Sequence, residues 1–201
     1  MGWSNKVSII KLFPTLVCVE ENIIDIKLSE VLKGRINLLE KQIDKGGIGW
    51  YSSVYNTMNT YSVANDPVFF PLIGKISFIV EEFQKELGVL SDLHLSESWF
   101  NIYYKNDYQE YHIHPNSILS AVYFLSAPKG GSKLVLQNPA YSRKMFLPSK
   151  FETNINNSDN WIFEPIENAL YVFPSYIHHM ATAHNIDQKR VSLAFNFTSI
   201  L

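Results

Sequence analysis

Beyond residue 95 the chain changes its punctuation, and that change limits the folds open to it more than any other feature. Six short runs rich in β-branched and aromatic residues follow one another there: SWFNIYY, EYHIH, ILSAVYFLS, SKLVLQN, ALYVF and RVSLAFNF. Turn residues such as Pro128-Lys129-Gly130-Gly131 separate them, and no helical spacing lies among them. The pattern predicts a mainly β core, a sandwich or a jelly-roll barrel.

The first half reads differently. Leu28, Val31, Leu32, Ile36, Leu39 and Ile43 recur at helical spacing, with Gly46-Gly47 as a stop, so a helix is expected over 28–43. A second is expected over 71–87, opened by Pro71, closed by Gly88 and carrying Leu72, Ile76, Ile79, Phe83 and Leu87 on its core face. Residues 7–19, broken by Pro14, read as an edge strand or an extended arm. The Gly-, Ser-, Asn- and Tyr-rich stretch after Gly46 reads as a long ordered loop with one short strand, and 140–168 as a loop insertion at one mouth of the barrel. A chain of 201 residues suffices for one core, so we expect a single domain in which 1–94 packs on a core formed by 95–201.

Composition narrows the function. Hydrophobic content of 46% with 18% charged residues suits a soluble globular protein, and a net charge of −2 gives no electrostatic reason to expect a nucleic acid. The single cysteine, Cys18, excludes an intrachain disulfide and a CxxC pair, which favours a reducing, cytoplasmic setting. No signal peptide and no membrane span are expected. Only Arg35, Arg143 and Arg190 are arginines, so each position where a planar, two-pronged carboxylate binder stands is worth locating.

Within EYHIH, His112 and His114 are spaced so that in a strand both point to one face, and metal binding is the chemistry this pattern suits. A further ligand would come from His178-His179, directly after the run ALYVFPSYI. On the last strand Val191, Leu193, Phe195 and Phe197 form an apolar face, and Arg190, Ser192, Ala194 and Asn196 form the other. In a barrel interior a face with Arg and Ser needs a ligand or a network of polar partners, and a dicarboxylate would satisfy it. Taken singly, each piece has an ordinary reading: paired histidines are commonly surface or hydrogen-bonded residues, and a lone arginine is commonly one half of a surface ion pair. His94 and His184 carry only that ordinary reading, and Asn101, on the strand face of Tyr103, reads first as a sheet hydrogen bonder.

In conjunction and in order, WFNIYY, HIHPNSILSAVYFL, GGSKLVLQNP, VFPSYIHH and KRVSLAFNF resemble the 2-oxoglutarate and iron(II)-dependent oxygenases, which are built on a double-stranded β-helix, a jelly roll of the cupin kind. Within them the chain is similar to a subgroup of uncharacterised bacterial and phage proteins with an HxHP motif, and LFPT and the segment 49–52 resemble its N-terminal landmarks. The resemblance implies iron(II) as cofactor and 2-oxoglutarate as cosubstrate. It makes His112 the first metal ligand and His179 the distal one, the register of FPSxxxH choosing His179 over His178. It makes Arg190, helped by Ser192, the anchor for the far carboxylate of 2-oxoglutarate, and it places Tyr103 in the cosubstrate pocket.

The chain departs from the common HxD or HxE spelling, because His114 stands where the carboxylate would be. Spacing favours His114 as third ligand; Glu110, at i−2 from His112, and water are the alternatives. A three-histidine site would leave the metal one net positive charge richer. The implied reaction couples oxidative decarboxylation of 2-oxoglutarate to hydroxylation of a small-molecule or peptide substrate by O2. Two other readings stand beside it: a three-histidine cupin-like dioxygenase that needs no cosubstrate, and a non-catalytic jelly-roll binding or virion-associated protein. Neither nucleic acid nor membrane is an expected partner, and the oligomeric state, a homodimer included, is left open.

Overall fold

Asp25 opens the first helix by accepting a hydrogen bond from the Leu28 backbone N–H at 2.8 Å, which satisfies one of the free donors of a helix start. The computed structural model describes residues 8–46, 49–140 and 152–199. In it α1 spans Ile26–Leu39 and α2 spans Phe70–Glu86. Each buries one stripe: Leu32, Ile36 and Leu39 on α1, and Leu72, Ile76, Val80 and Phe83 on α2. Burying a side chain of this size stabilises by about 1.5–3 kcal/mol, which is what holds the helices to the sheet. α1 ends four residues before the expected Ile43, because the N–H groups of Gln42 and Ile43 both turn back to the Leu39 carbonyl. Ile43 still packs on the core from this irregular turn.

Gly46 is not the helix stop that its sequence position suggests. It lies where the chain returns along Asn56, to whose carbonyl its N–H donates at 2.6 Å, and a Cβ there would sit 2.0 Å from the Met58 carbonyl oxygen. Gly47 falls outside the described residues. Gly88, at φ +70°, does terminate α2 in the left-handed conformation that glycine adopts without strain. Ahead of α2, Asp66 accepts from Arg35 Nε at 2.7 Å and from the Tyr61 hydroxyl at 2.6 Å, tying α1 to the start of α2.

Ten strands occur among the described residues, in two antiparallel sheets. The larger has the order β1 (Cys18–Glu21), β8 (Ala169–Pro174), β5 (Leu119–Ser126), β10 (Arg190–Ser199), β3 (Leu93–Tyr103), β2 (Tyr55–Asn56). The smaller has the order β4 (Gln109–His112), β9 (His179–Ala181), β6 (Leu134–Gln137), β7 (Asn160–Phe163). From β3 onward the chain crosses repeatedly between the sheets, the connectivity of a double-stranded β-helix. The 1–94 half does more than pack on that core: β1 and β2 close the two edges of the large sheet, and β3 begins before residue 95.

Period-2 alternation divides the central strands. Phe100, Ile102, Leu193, Phe195 and Phe197 join Leu32, Ile36 and Ile76 in one hydrophobic core beneath the helices. Trp99, Asn101, Tyr103, Arg190, Ser192 and Asn196 face the small sheet and line the cleft between the sheets. The expected loop over 140–168 contains β7, paired with β6, and its residues 141–151 fall outside the described residues.

Two glycines separate space from strain. Gly46→Ala should lower the denaturant midpoint, since no side chain but only backbone lies within 3.1 Å of the new methyl. Gly74→Ala, on the exposed side of α2 with nothing within 4 Å, should raise stability by about 0.5–1 kcal/mol. Urea titration of both variants checks the pair.

Candidate active site

At the mouth of the cleft β4 meets β9, and cross-strand register sets His112 directly opposite His179. The ring centroids of the two lie 4.1 Å apart, and His114 is 5.2 Å from one and 5.1 Å from the other. One ligand atom from each of the three lies within 4.8 Å of the others, an arrangement that could hold a metal ion. His178, one residue away, points to solvent. His114 lies just past the end of β4, where its backbone N–H donates to the Ser175 carbonyl at 3.1 Å and so fixes the turn against the segment leading into β9.

Two of these rings have their proton placed by an acceptor. His112 Nδ1 lies 2.8 Å from the Glu110 carbonyl and His179 Nδ1 lies 2.9 Å from the Ile177 carbonyl. A carbonyl can only accept, so each Nδ1 carries the proton and each Nε2 presents a lone pair. His114 differs: its Nδ1 faces the amide nitrogen of Asn196 at 3.2 Å, and that amide also donates to Glu97 at 2.8 Å while its oxygen accepts from the Ser120 hydroxyl. Burial pushes all three imidazoles below their ordinary range, His114 to about 4 and His179 well down; His112 adds to the shift of His114, and His112 and His114 add to that of His179, while Glu110 opposes the shift of His112. They are therefore neutral, the form in which a histidine ligates.

Glu110 does not share the face of His112. A register shift between Gln109 and His112 breaks the two-residue parity, so Gln109 takes the inward place. The Glu110 carboxylate instead accepts from the backbone N–H groups of Tyr51 and Ser52. Trp50 packs edge-on against His112, with ring centroids 4.9 Å apart.

Deeper in the cleft Arg190 stands across from Tyr103 in the β10–β3 ladder. Its guanidinium lies over the Tyr103 ring at 4.3 Å and the Phe124 ring at 4.7 Å, and Nη1 donates to the Ser132 hydroxyl at 2.7 Å. The residue is 2% exposed, its Nε has no hydrogen-bond acceptor, and no carboxylate among the described residues pairs with it. Ser192 follows on the same face, across from Asn101, whose side-chain oxygen accepts from Asn56. The Tyr103 hydroxyl donates to Gln109 at 2.9 Å, and burial raises its pKa, so it stays a donor. The cleft is narrow as it stands, with a cavity volume of about 30 Å³ between the lining side chains.

The sequence-predicted residues His112, His114, His179, Tyr103, Arg190 and Ser192 thus line one cleft. Four others near the site were missed. Trp99, buried with an unpaired indole N–H, was legible from parity with Tyr103. Gln109 was hidden by the bulge, and Ser132 and His184 stand behind Arg190 on loops that carry no local signal.

Residues 97–196 match the family model described as "Putative 2OG-Fe(II) oxygenase". No curated protein matches this sequence. Solved structures share the fold at low identity. The prolyl-4-hydroxylase of Pseudomonas putida is 14% identical with a TM-score of 0.65, over 93% of this chain and 94% of that one. SnoN, the non-heme alpha-ketoglutarate-dependent epimerase from nogalamycin biosynthesis, is 12% identical with a TM-score of 0.69, over 92% and 79%. HygX from Streptomyces hygroscopicus, solved with nickel, 2-oxoglutarate and hygromycin B bound, is 14% identical with a TM-score of 0.62, over 93% and 84%. Family match, jelly-roll fold and a three-histidine cluster converge: the chain belongs to the 2-oxoglutarate and iron(II)-dependent oxygenases, enzymes that use iron(II) with 2-oxoglutarate as cosubstrate.

Proposed function

We propose that residues 1–201 form one catalytic unit, a cytoplasmic hydroxylase in which His112, His114 and His179 hold the iron and Arg190 holds the far carboxylate of 2-oxoglutarate. The observation that carries this reading is the Arg190 guanidinium, out of contact with water and without a carboxylate beside it among the described residues. A buried charge left unpaired is strongly destabilising, and a dianionic cosubstrate supplies the missing half. Tyr103 and Phe124 fix the plane of the guanidinium, and the Ser192 hydroxyl lines the same end of the cleft.

The three neutral imidazoles offer ligands without releasing protons, and His112 and His179 do so with their Nε2 lone pairs already set by the backbone. When bound, iron(II) with 2-oxoglutarate supplies the oxidising chemistry, in which O2 is consumed, 2-oxoglutarate becomes succinate and carbon dioxide, and one oxygen atom enters the substrate. The protein orients the cosubstrate through Arg190 and Tyr103 and keeps water from its carboxylate. Trp50, Trp99 and the mouth of the cleft border the space left for a small-molecule or peptide substrate. A cosubstrate-free three-histidine dioxygenase would leave Arg190 without its anion.

Anaerobic addition of iron(II) and 2-oxoglutarate should give the visible charge-transfer band of a chelated keto acid. His112→Ala and His179→Ala should abolish tight metal binding, whereas the exposed His178→Ala retains it; equal loss at 178 and 179 would sink the ligand assignment. Arg190→Ala should weaken 2-oxoglutarate by roughly 30-fold or more, the equivalent of about 2 kcal/mol or more, with metal affinity unchanged. Arg190→Lys should recover only part, since it keeps the charge and loses the planar fork. Calorimetric titration of the manganese-loaded proteins reads both quantities.

A further inference from the structure

Three loops meet behind Arg190, and a histidine outside the metal cluster joins them. His184 is fully buried in the connection from β9 to β10. Its backbone N–H donates to the Asp107 carbonyl at 2.8 Å, and its own carbonyl accepts from Asn106 at 2.7 Å, so it is anchored to the turn after β3. Its ring bridges to two further segments: Nδ1 lies 3.1 Å from the Ser132 backbone nitrogen and Nε2 lies 2.6 Å from the Gln188 carbonyl. A backbone N–H only donates and a carbonyl only accepts, so Nδ1 carries the lone pair, Nε2 carries the proton, and both ring nitrogens are satisfied.

The contact with Ser132 is close by construction. At Gly131 a Cβ would lie 3.0 Å from the His184 ring, so the turn lies flush on the imidazole. Ser132, also fully buried, has its N–H held by His184 while its hydroxyl accepts from Arg190 Nη1 at 2.7 Å. Ser132 is the acceptor with defined hydrogen-bond geometry for the guanidinium, and Tyr103 is the other polar neighbour close to it. The flanking Tyr103 and Phe124 rings set the plane of the fork but not its direction within the plane. Ser132 sets the direction, and His184 sets Ser132.

The geometry points to His184 as a positioning residue for cosubstrate affinity, acting through Ser132 on the aim of Arg190; this rests on the reading of Arg190 as carboxylate anchor. His184 touches neither the metal cluster nor the cleft lining, so its effect falls on 2-oxoglutarate and not on the metal.

The test uses manganese-loaded full-length protein titrated with 2-oxoglutarate. His184→Leu, which removes the acceptor for the Ser132 N–H, and Ser132→Ala, which removes the acceptor for Arg190, should each weaken binding about tenfold. His184→Asn, whose side-chain oxygen stands near the place of Nδ1, should bind within about threefold of wild type, a rescue that one hydrogen bond of ordinary worth predicts. Manganese affinity should be the same in all three. A ligand-free readout comes from the Nε–H resonance of Arg190, one of only three arginines in the chain. Its resonance should be protected from solvent exchange in wild type and His184→Asn, and lose protection in His184→Leu and Ser132→Ala. Should His184→Leu fail to fold, Ser132→Ala and His184→Asn carry the comparison. Wild-type affinity in His184→Leu and Ser132→Ala, with Arg190→Ala weak, overturns the proposal alone, as does a His184→Asn no better than His184→Leu. Absence of 2-oxoglutarate binding by wild type overturns the anchor reading and this proposal with it.

Discussion

An arginine sealed between two sheets, with no acid beside it among the described residues, is the constraint on which the rest of the cleft depends. Transfer of a charge out of water costs several kcal/mol even after relaxation, so the fold must surround Arg190 with groups that soften the loss. It does so with two aromatic faces and one hydroxyl, none of which neutralises the charge. Burial accordingly lowers the Arg190 pKa from its ordinary value, and the neighbouring Tyr103 opposes that shift. The strands supply this environment through register: the β3–β10 ladder sets Tyr103 opposite Arg190, Asn101 opposite Ser192 and Trp99 opposite Ala194. A slip of one residue would turn the whole polar row into the apolar core beneath the helices.

The metal end of the cleft follows the opposite electrostatic logic. Its three imidazoles are neutral because burial penalises their protonated forms. One end of the cleft thus holds a fixed positive charge, and the other holds uncharged lone pairs that accept a cation. A ligand with carboxylates at both ends suits that polarity, since one end meets the guanidinium and the other can meet a metal.

How much of this was legible before the structure follows from how local each cause is. The strand runs, both helices and the polar face of β10 come from periodicity, which depends only on neighbours in the chain; periodicity left a sandwich and a jelly roll open, and the family resemblance chose the jelly roll. Parity failed at Glu110 because the bulge between Gln109 and His112 is a cross-strand event, visible only once β4 is laid against β9. Gly46 was misread for a similar reason: as a helix stop it is a local signal, and its real constraint is the Met58 carbonyl twelve residues on. Ser132 and His184 are separated by 52 residues and meet through a backbone N–H, for which side-chain identity holds no trace.

The spelling HIHP in place of HxD puts an uncharged imidazole where a carboxylate would stand, and so removes a negative charge from the cluster. A carboxylate does stand nearby, since Glu97 holds the Asn196 amide that faces His114. It cannot stand in for a carboxylate ligand, because Glu97 is exposed and one amide removed from the imidazole. Through water two unit charges about 4 Å apart interact by only about 1 kcal/mol, and the separation here is larger. With three neutral histidines as its ligands, as proposed, a metal would keep its full double charge, and Arg190 adds another at the far end of the same cleft. A dianion shared between them would leave one positive charge over, where a carboxylate ligand would leave none. The affinity of this cleft for a dianion would therefore be a joint property of the histidine set and Arg190.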